Sequence, residues 1–273
     1  MKKLTASIVC YKTSKEMLER AISSFLNTNL DVKLYIIDNS PNDKIRSWFE
    51  DERIEYVFNN ANVGFGAANN VAINKILNSS KYHLVLNPDV YFSSTILVKL
   101  YEYMERNSDV GLIMPKVLYN HGSTQYLCKL LPTPFGLLIR RFVPIKSIHN
   151  KLNNYYELRV ADYNTTFEAP VLSGCFMFVR TSVLKELGGF DERFFMYMED
   201  ADLCRRIHSK YKNVYFPEVE IYHGYEKGSY NNIKLLFSHL VSAIKYFNKW
   251  GWFFDRERNK TNKLTIQKIK EHL

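Results

Sequence analysis

Acidic side chains in this 273-residue sequence stand at the ends of apolar runs, an awkward place for a carboxylate without a partner. Asp38 follows the run Val32 to Ile37, and Asn87-Pro88-Asp89 follows His83 to Leu86. Asp38 could accept hydrogen bonds from a nucleobase or a ribose hydroxyl. Taken alone, capping of the next helix together with Asn39 and Ser40 is the simpler account. Asp89 is suited to hold a divalent cation, because Mg²⁺ and Mn²⁺ favour oxygen ligands and neutralise a departing diphosphate. Glu199-Asp200, with Asp202 close behind, opens a helix after an aromatic-rich stretch. These acids either complement the helix dipole or supply a general base for an attacking hydroxyl. His223 follows another strand-like run and could ligate a metal through neutral imidazole, although a solitary histidine does not by itself establish a ligand.

The segment Asn62-Val63-Gly64-Phe65-Gly66-Ala67-Ala68-Asn69 first suggests a dinucleotide fingerprint. It reads GxGxxN, follows a third strand instead of the first, and has its acidic partner, Asp38, upstream. The pattern therefore argues against a Rossmann dehydrogenase. What survives is physical: two glycines let backbone approach a ligand closely, and the following helix offers its N-terminus. A tight turn with a helix start is the plain alternative.

The elements that must position these residues alternate in type. Strands are expected at Leu4–Cys10, 32–37, 54–58, 83–86 and 111–118, with helices from a Thr13/Glu16 capping box, over 67–77 and over 94–106. This order implies a mainly parallel sheet, and ligands of open α/β sheets sit outside the carboxyl ends of the strands. Tyr11, Asp38 and Asp89 should then share one crevice. Periodicity is lost over 119–170, read as an insertion or flexible acceptor-side region. Order returns with Val171–Arg180, a short helix closed by Gly188-Gly189, a helix from 199 to about 209, and a strand over 213–222. The last 45 residues look helical and basic, with Trp250, Trp252, Phe253 and Phe254 clustered.

A net charge of +9 calls for an anionic partner. Without an arginine-rich block or an RNA-binding aromatic signature, nucleic acid ranks last. Cys10, Cys128, Cys175 and Cys204 are scattered and form neither a zinc pattern nor a disulfide framework, which fits a reduced, cytoplasmic compartment. The N-terminus shows no cleavable signal pattern, and no run of 18 apolar residues exists.

Individually these signals are weak, but their order and spacing are not. The series Tyr11, Asp38, Gly64-Phe65-Gly66, Asn87-Pro88-Asp89, Ser173-Gly174, Glu199-Asp200-Ala201-Asp202-Leu203, His223 resembles the family 2 glycosyltransferases of the GT-A fold, over residues 4 to 225. The wording at 62–70, 87–90, 173–180 and 188–195 is similar to the rhamnosyltransferase-like branch, which builds O-antigen, capsule and cell-wall polysaccharides.

The resemblance implies a GT-A α/β fold: a Rossmann-like mixed, mainly parallel sheet flanked by helices. A catalytic domain over 1–228 would comprise a nucleotide-binding half (1–118) and an acceptor half (119–228), followed by a helical basic extension over 229–273. It implies that Tyr11, Asp38 and Asn39 hold the donor's base and ribose, with Asn62, Gly64, Asn69 and Asn87 completing the pocket. Asp89 matches the metal-binding acid of the family's DXD element, with Mg²⁺ or Mn²⁺ as cofactor. Asn87 replaces the first acid of that element, which makes His223 attractive as a second ligand. Asp200 matches the catalytic base, Glu199 would contact acceptor or donor hydroxyls, and Gly174 would let backbone approach the sugar.

The expected partners are a nucleotide-sugar, dTDP-L-rhamnose first and UDP-hexoses or UDP-galactofuranose behind it, and a saccharide acceptor, lipid-linked, at the inner face of the cytoplasmic membrane. The basic, aromatic C-terminus would suit such an interface, or else pack on the domain or on a second copy in a homodimer. Two other classes compete. A nucleotidyltransferase would carry a phosphate loop near the first strand, of which Tyr11-Lys12-Thr13-Ser14 is a poor version. A non-catalytic sugar-nucleotide or glycan-binding protein would need neither Asp89 nor Asp200.

Overall fold

A computed structural model describes residues 1–142, 146–224 and 233–271, with the side chains at 140–142, 146–149 and 151 falling outside it. The strands are β1 (Lys2–Cys10), β2 (Val32–Asp38), β3 (Ile54–Phe58), β4 (Ser80–Leu86), β5 (Val90–Phe92), β6 (Val110–Leu118), β7 (Cys128–Lys129), β8 (Phe167–Glu168), β9 (Val171–Leu172), β10 (Phe176–Arg180) and β11 (Lys212–His223). The helices are α1 (Lys15–Leu26), α2 (Phe65–Ile76), α3 (Thr95–Arg106), α4 (Pro134–Phe142), α5 (Lys146–Tyr156), α6 (Thr181–Leu187), α7 (Glu199–His208), α8 (Ile233–Trp250) and α9 (Arg256–Glu271).

One mixed sheet runs β3-β2-β1-β4-β10-β6-β11-β5, with β8 also beside β11. The pairs β1–β2, β2–β3, β1–β4 and β6–β11 are parallel, whereas β10 runs antiparallel to both of its neighbours. The central strands are near-continuous apolar runs because helices cover both faces. Successive residues alternate sides. On β2, Tyr35 and Ile37 pack with Ala68, Ala72 and Ile76 of α2. Leu34 and Ile36 face the larger core with Leu18, Phe25 and Leu100. The β6–β11 register shifts between Phe216 and Glu220, where Pro217 cannot donate to the ladder.

Three expectations change. Ser14, not Thr13, caps α1, accepting from the Met17 N–H, while Thr13 accepts from Tyr11. The segment expected to be aperiodic, 119–170, folds α4 and α5 and places β7 and β8. The strand expected over 171–180 is broken by a turn at Ser173–Cys175, which separates β9 from β10. The expected boundary at 228 lies outside the described residues.

Beyond it, α8 and α9 pack onto the domain, burying Tyr246, Phe247 and Ile269 in its core. Arg205 of α7 makes a bidentate pair with Asp255 (2.7 and 2.8 Å), and Asn262 brackets the backbone of Leu131. All four cysteines are free and buried. Among the described residues no helix is long and apolar enough to cross a membrane.

Candidate active site

The first cluster forms where β1, β2 and β3 end side by side. Cys10 lies opposite Asp38 in the parallel register, which brings Tyr11, half exposed, next to Asp38 and Asn39. Asp38 is buried. Its Oδ1 accepts from the Ser40 N–H at 2.9 Å and its Oδ2 from the Tyr56 hydroxyl at 2.7 Å. Burial first, and then this carboxylate, push the Tyr56 phenol upward. Asn39 ties three loops together: its N–H donates to Cys10, its side-chain amide to Gly64 O and Asn62, and its carbonyl accepts from Asn59.

The glycines here do something other than expected. Gly64 has φ +90°, and a Cβ there would sit 2.3 Å from the Phe195 carbonyl oxygen. A Cβ on Gly66 would lie 2.9 Å from Phe190 Cβ. Both glycines therefore admit the protein's own 190–195 segment, which Phe65 secures by donating to Phe195 O. Asn70 clamps the same segment, donating to Phe190 O and accepting from its N–H at 2.8 Å each. Asn69, expected in the nucleotide pocket, is fully buried and spends its polar atoms on Ser7 and Phe65 O. It supports the loop from beneath.

The second cluster lies at the ends of β4 and β11. Asp89 Oδ2 is 3.4 Å from His223 Nε2. The other ring nitrogen, Nδ1, is 3.0 Å from Gln125 Oε1, and Gln125 also donates to His223 O at 2.8 Å. This contact orients the ring so that Nε2 faces the carboxylate, as an outer partner commonly does for a metal-binding histidine. One carboxylate oxygen and one imidazole nitrogen at this spacing fit two sites of a divalent ion's shell. Among the described residues no group of three or more His, Cys, Asp or Glu assembles. Diphosphate oxygens and water would complete the shell, as is usual for Mg²⁺. Asn87 holds the turn, donating to Cys175 O and accepting from Val90.

The third cluster is the start of α7. Tyr197 and Met198, immediately before it, both have left-handed backbones (φ 69° and 70°). Such strain costs about 1–3 kcal/mol per residue and concentrates at functional sites. It delivers Glu199 and Asp200 side by side. Asp200 Oδ2 accepts from the Gly174 N–H at 3.1 Å, and an added Cβ on Gly174 would lie 3.2 Å from Asp200 Cβ. Gly174 thus makes room for Asp200, where an approach to sugar was expected. Since Cys175 bonds Asn87, the Ser173–Cys175 turn links the base candidate to the Asp89 cluster.

Glu199 is buried with Oε2 unpartnered, and its pKa is raised well above the ordinary range, by burial first and by the Asp200 charge second. Both acids line a cavity of about 740 Å³ between α4, α5 and α8. Asp202 faces the other way, fully buried among Arg206, Lys249 and Trp250.

Sequence reasoning brought together Tyr11, Asp38 and Asn39, Asp89 with His223, and Glu199 with Asp200. It missed Tyr56, Gln125 and Trp250. Gln125 sits in the stretch without periodicity, and nothing local marks it. Asn70 stood inside the quoted motif, adjacent to the residue chosen.

A mixed, mainly parallel sheet flanked by helices, with acids standing at its strand ends, is the GT-A type of glycosyltransferase fold. The structure of GalNAc-T7 with UDP, GalNAc and Mn²⁺ superposes with a TM-score of 0.61 over 82% of this chain and 43% of that one, at 13% identity. The chain belongs to Glycosyl transferase family 2, whose pattern matches residues 6–188.

It is 28% identical to the N-acetylglucosaminyl-diphospho-decaprenol L-rhamnosyltransferase of Mycobacterium tuberculosis, over 76% of this chain and 71% of that protein. It is 26% identical to the rhamnosyltransferase WbbL of Escherichia coli, over 67% and 69%. It is also 27% identical to the low-salt glycan biosynthesis hexosyltransferase Agl10 of Haloferax volcanii, over 77% of this chain and 63% of that one. The chain therefore spans somewhat less than two thirds of the Haloferax relative. The likeness to the rhamnosyltransferase-like branch holds among these relatives.

Proposed function

We propose that the protein is an inverting glycosyltransferase that moves a sugar from a nucleoside-diphosphate sugar to a hydroxyl of a saccharide acceptor. The observation that carries this reading is the position of Asp200: on the wall of the 740 Å³ cavity, with Oδ2 pinned by the Gly174 N–H and joined through Cys175 to the Asp89 turn. A base must face the acceptor while its neighbours face the donor, and this link connects the two sides.

Tyr11, Asp38 and Asn39 would hold the base and ribose at the strand ends. Asp89 and His223 would hold Mg²⁺ or Mn²⁺, which when bound neutralises the departing diphosphate. Asp200 takes the proton of the acceptor hydroxyl as its oxygen bonds to the anomeric carbon. The bond from that carbon to the phosphate oxygen breaks on the opposite face, and one displacement inverts the configuration. Glu199, whose carboxyl burial pushes well above the ordinary range, would hydrogen-bond a sugar hydroxyl.

Relatives named as rhamnosyltransferases support dTDP-L-rhamnose as the first donor to try, before UDP-hexoses and UDP-galactofuranose. The diphospho-decaprenol in one relative's name supports a lipid-linked saccharide acceptor. With such an acceptor the enzyme would work at the inner face of the cytoplasmic membrane, in surface polysaccharide synthesis.

The test is a thermal-shift panel of nucleoside diphosphates and nucleotide-sugars with and without Mn²⁺ or Mg²⁺, since a ligand of the native state raises the melting temperature by mass action. A metal-dependent shift with one base, removed by Asp89→Ala, supports the reading and names the nucleotide. No shift with any nucleotide would overturn it in favour of a glycan-binding role.

A further inference from the structure

The mouth of the cavity beside Asp200 has an unusual rim. Leu138, Leu240, Ile244 and Trp252 line the cavity and are also 37–50% exposed, so its apolar lining continues onto the outer surface. Beyond them the surface stays apolar. Ile233 and Phe237 are 80% and 68% exposed, and with Leu240 and Ile244 they form one stripe along α8 at spacings of four, three and four. Phe135 of α4 is 63% exposed and its ring lies 5.8 Å from that of Phe253. Phe254, at the tip of the α8–α9 turn, is 99% exposed. Leaving that many large apolar side chains in water on one face is costly, and contiguous patches of this kind mark interaction sites.

Charge selects the partner. Helix α8 has no acidic residue and exposes Lys234 and Lys245, whereas its Lys249 turns inward to Asp191 and Asp202; just past the Phe253-Phe254 tip Arg256 and Lys260 are exposed with one acid, Glu257, between them. Projecting aromatics flanked by Lys234, Lys245, Arg256 and Lys260, four exposed cations against the single acid Glu257, suit the boundary of an anionic bilayer, where rings enter the acyl region and cations meet the headgroups. A protein partner would need complementary acids and shape.

We propose that the face made by α4, α8 and the Phe253-Phe254 turn docks on an anionic phospholipid surface, so that the cavity opens toward the lipid and admits a membrane-borne acceptor without lifting it into water. This rests on the reading of Asp200 as facing the acceptor. It revises the expectation for the aromatic cluster: Trp250 points inward to Asp202, while Phe253 and Phe254 carry the membrane contact.

The experiment is flotation of the full chain with vesicles of three parts phosphatidylcholine to one part phosphatidylglycerol, and with phosphatidylcholine alone. Binding is expected to the anionic vesicles, weakened by salt. Phe253→Ser combined with Phe254→Ser, at exposed positions outside the cavity lining, should weaken partition by about tenfold or more, because two large apolar rings no longer leave water on binding. Phe135→Ser should weaken it in the same direction.

Failure of the wild-type chain to bind, or equal binding by the double variant, would overturn the proposal. So would a dimer in sedimentation that the double variant disperses while vesicles go unbound, which would assign the face to a second copy. Metal-dependent hydrolysis of the nucleotide-sugar by the same preparations without lipid reports on the transferase reading separately. Normal hydrolysis with no flotation sinks only the docking surface.

Discussion

The indole Nε1 of Trp250 donates to Asp202 Oδ1 at 2.8 Å, which fastens the end of α8 to α7, the helix whose first turn carries Asp200. Asp202 also receives Arg206 at 2.9 Å and Lys249 at 2.6 Å, while the Arg205 guanidinium stacks on Trp250 at 4.1 Å. A buried carboxylate with three donors holds well as a set and poorly as a remnant. Trp250→Phe, which keeps an aromatic side chain but removes the donor and part of the ring surface, should lower stability by at least about 1–3 kcal/mol. Urea unfolding measures it, and an unchanged midpoint would show that the bond contributes nothing.

Asp200→Asn keeps the shape and the bond from Gly174 but not the basicity. Turnover should fall by about 10²- to 10⁴-fold, the usual contribution of general base catalysis, with the nucleotide-induced thermal shift retained. Steady-state transfer kinetics check the first part. Turnover at the wild-type rate would remove Asp200 from the role.

Gln125→Ala frees the His223 ring to rotate. Loss of an outer-shell partner typically costs about 10- to 100-fold in metal affinity. Calorimetric titration of Mn²⁺ into protein saturated with nucleoside diphosphate should show that loss. Equal affinities would mean that His223 does not ligate the ion.

At Gly64 the backbone lies at φ +90° against Phe195 O. Gly64→Ala should cost at least about 1–3 kcal/mol from backbone strain, before counting the overlap. It should also displace the 190–195 segment that leads into α7, so activity and melting temperature fall together. A variant as stable as wild type would contradict the close approach.

Glu199 makes stability depend on pH in a defined direction. Its folded pKa is raised above the ordinary 4.5, so above that pH the unfolded chain releases a proton that the folded chain retains. Stability is greatest at and below the unfolded value and falls as pH rises toward the folded one. Glu199→Gln should flatten this slope and melt higher than wild type at neutral pH. Parallel slopes for the two proteins would show that Glu199 is charged in the fold.

The strands were legible because central parallel strands are buried on both faces and read as unbroken apolar runs. The third was placed at its observed limits (54–58), and the helix at 94–106 began one residue later than expected. The pairing of Tyr11 with Asp38 could be foreseen, since the parallel register sets the ends of β1 and β2 side by side. The α4–α5 region was not legible. Its helices are short, nine and eleven residues, and prolines at 132, 134 and 144 interrupt the stretch, so their apolar faces span too few turns to stand out; they gain definition by closing over the cavity.

The sequence by itself determined the class of fold and which acids stand at strand ends and at the start of α7, because burial periodicity and the types at each break are local properties. Only the tertiary structure decided what those residues touch. Gly64 and Gly174 turned out to accommodate Phe195 and Asp200 instead of ligand, Asn69 to brace a loop, and Trp250 to anchor a carboxylate 48 residues away. Packing between distant segments sets those contacts, and a glycine's open space or a carboxylate's partner has no signature until the other segment arrives.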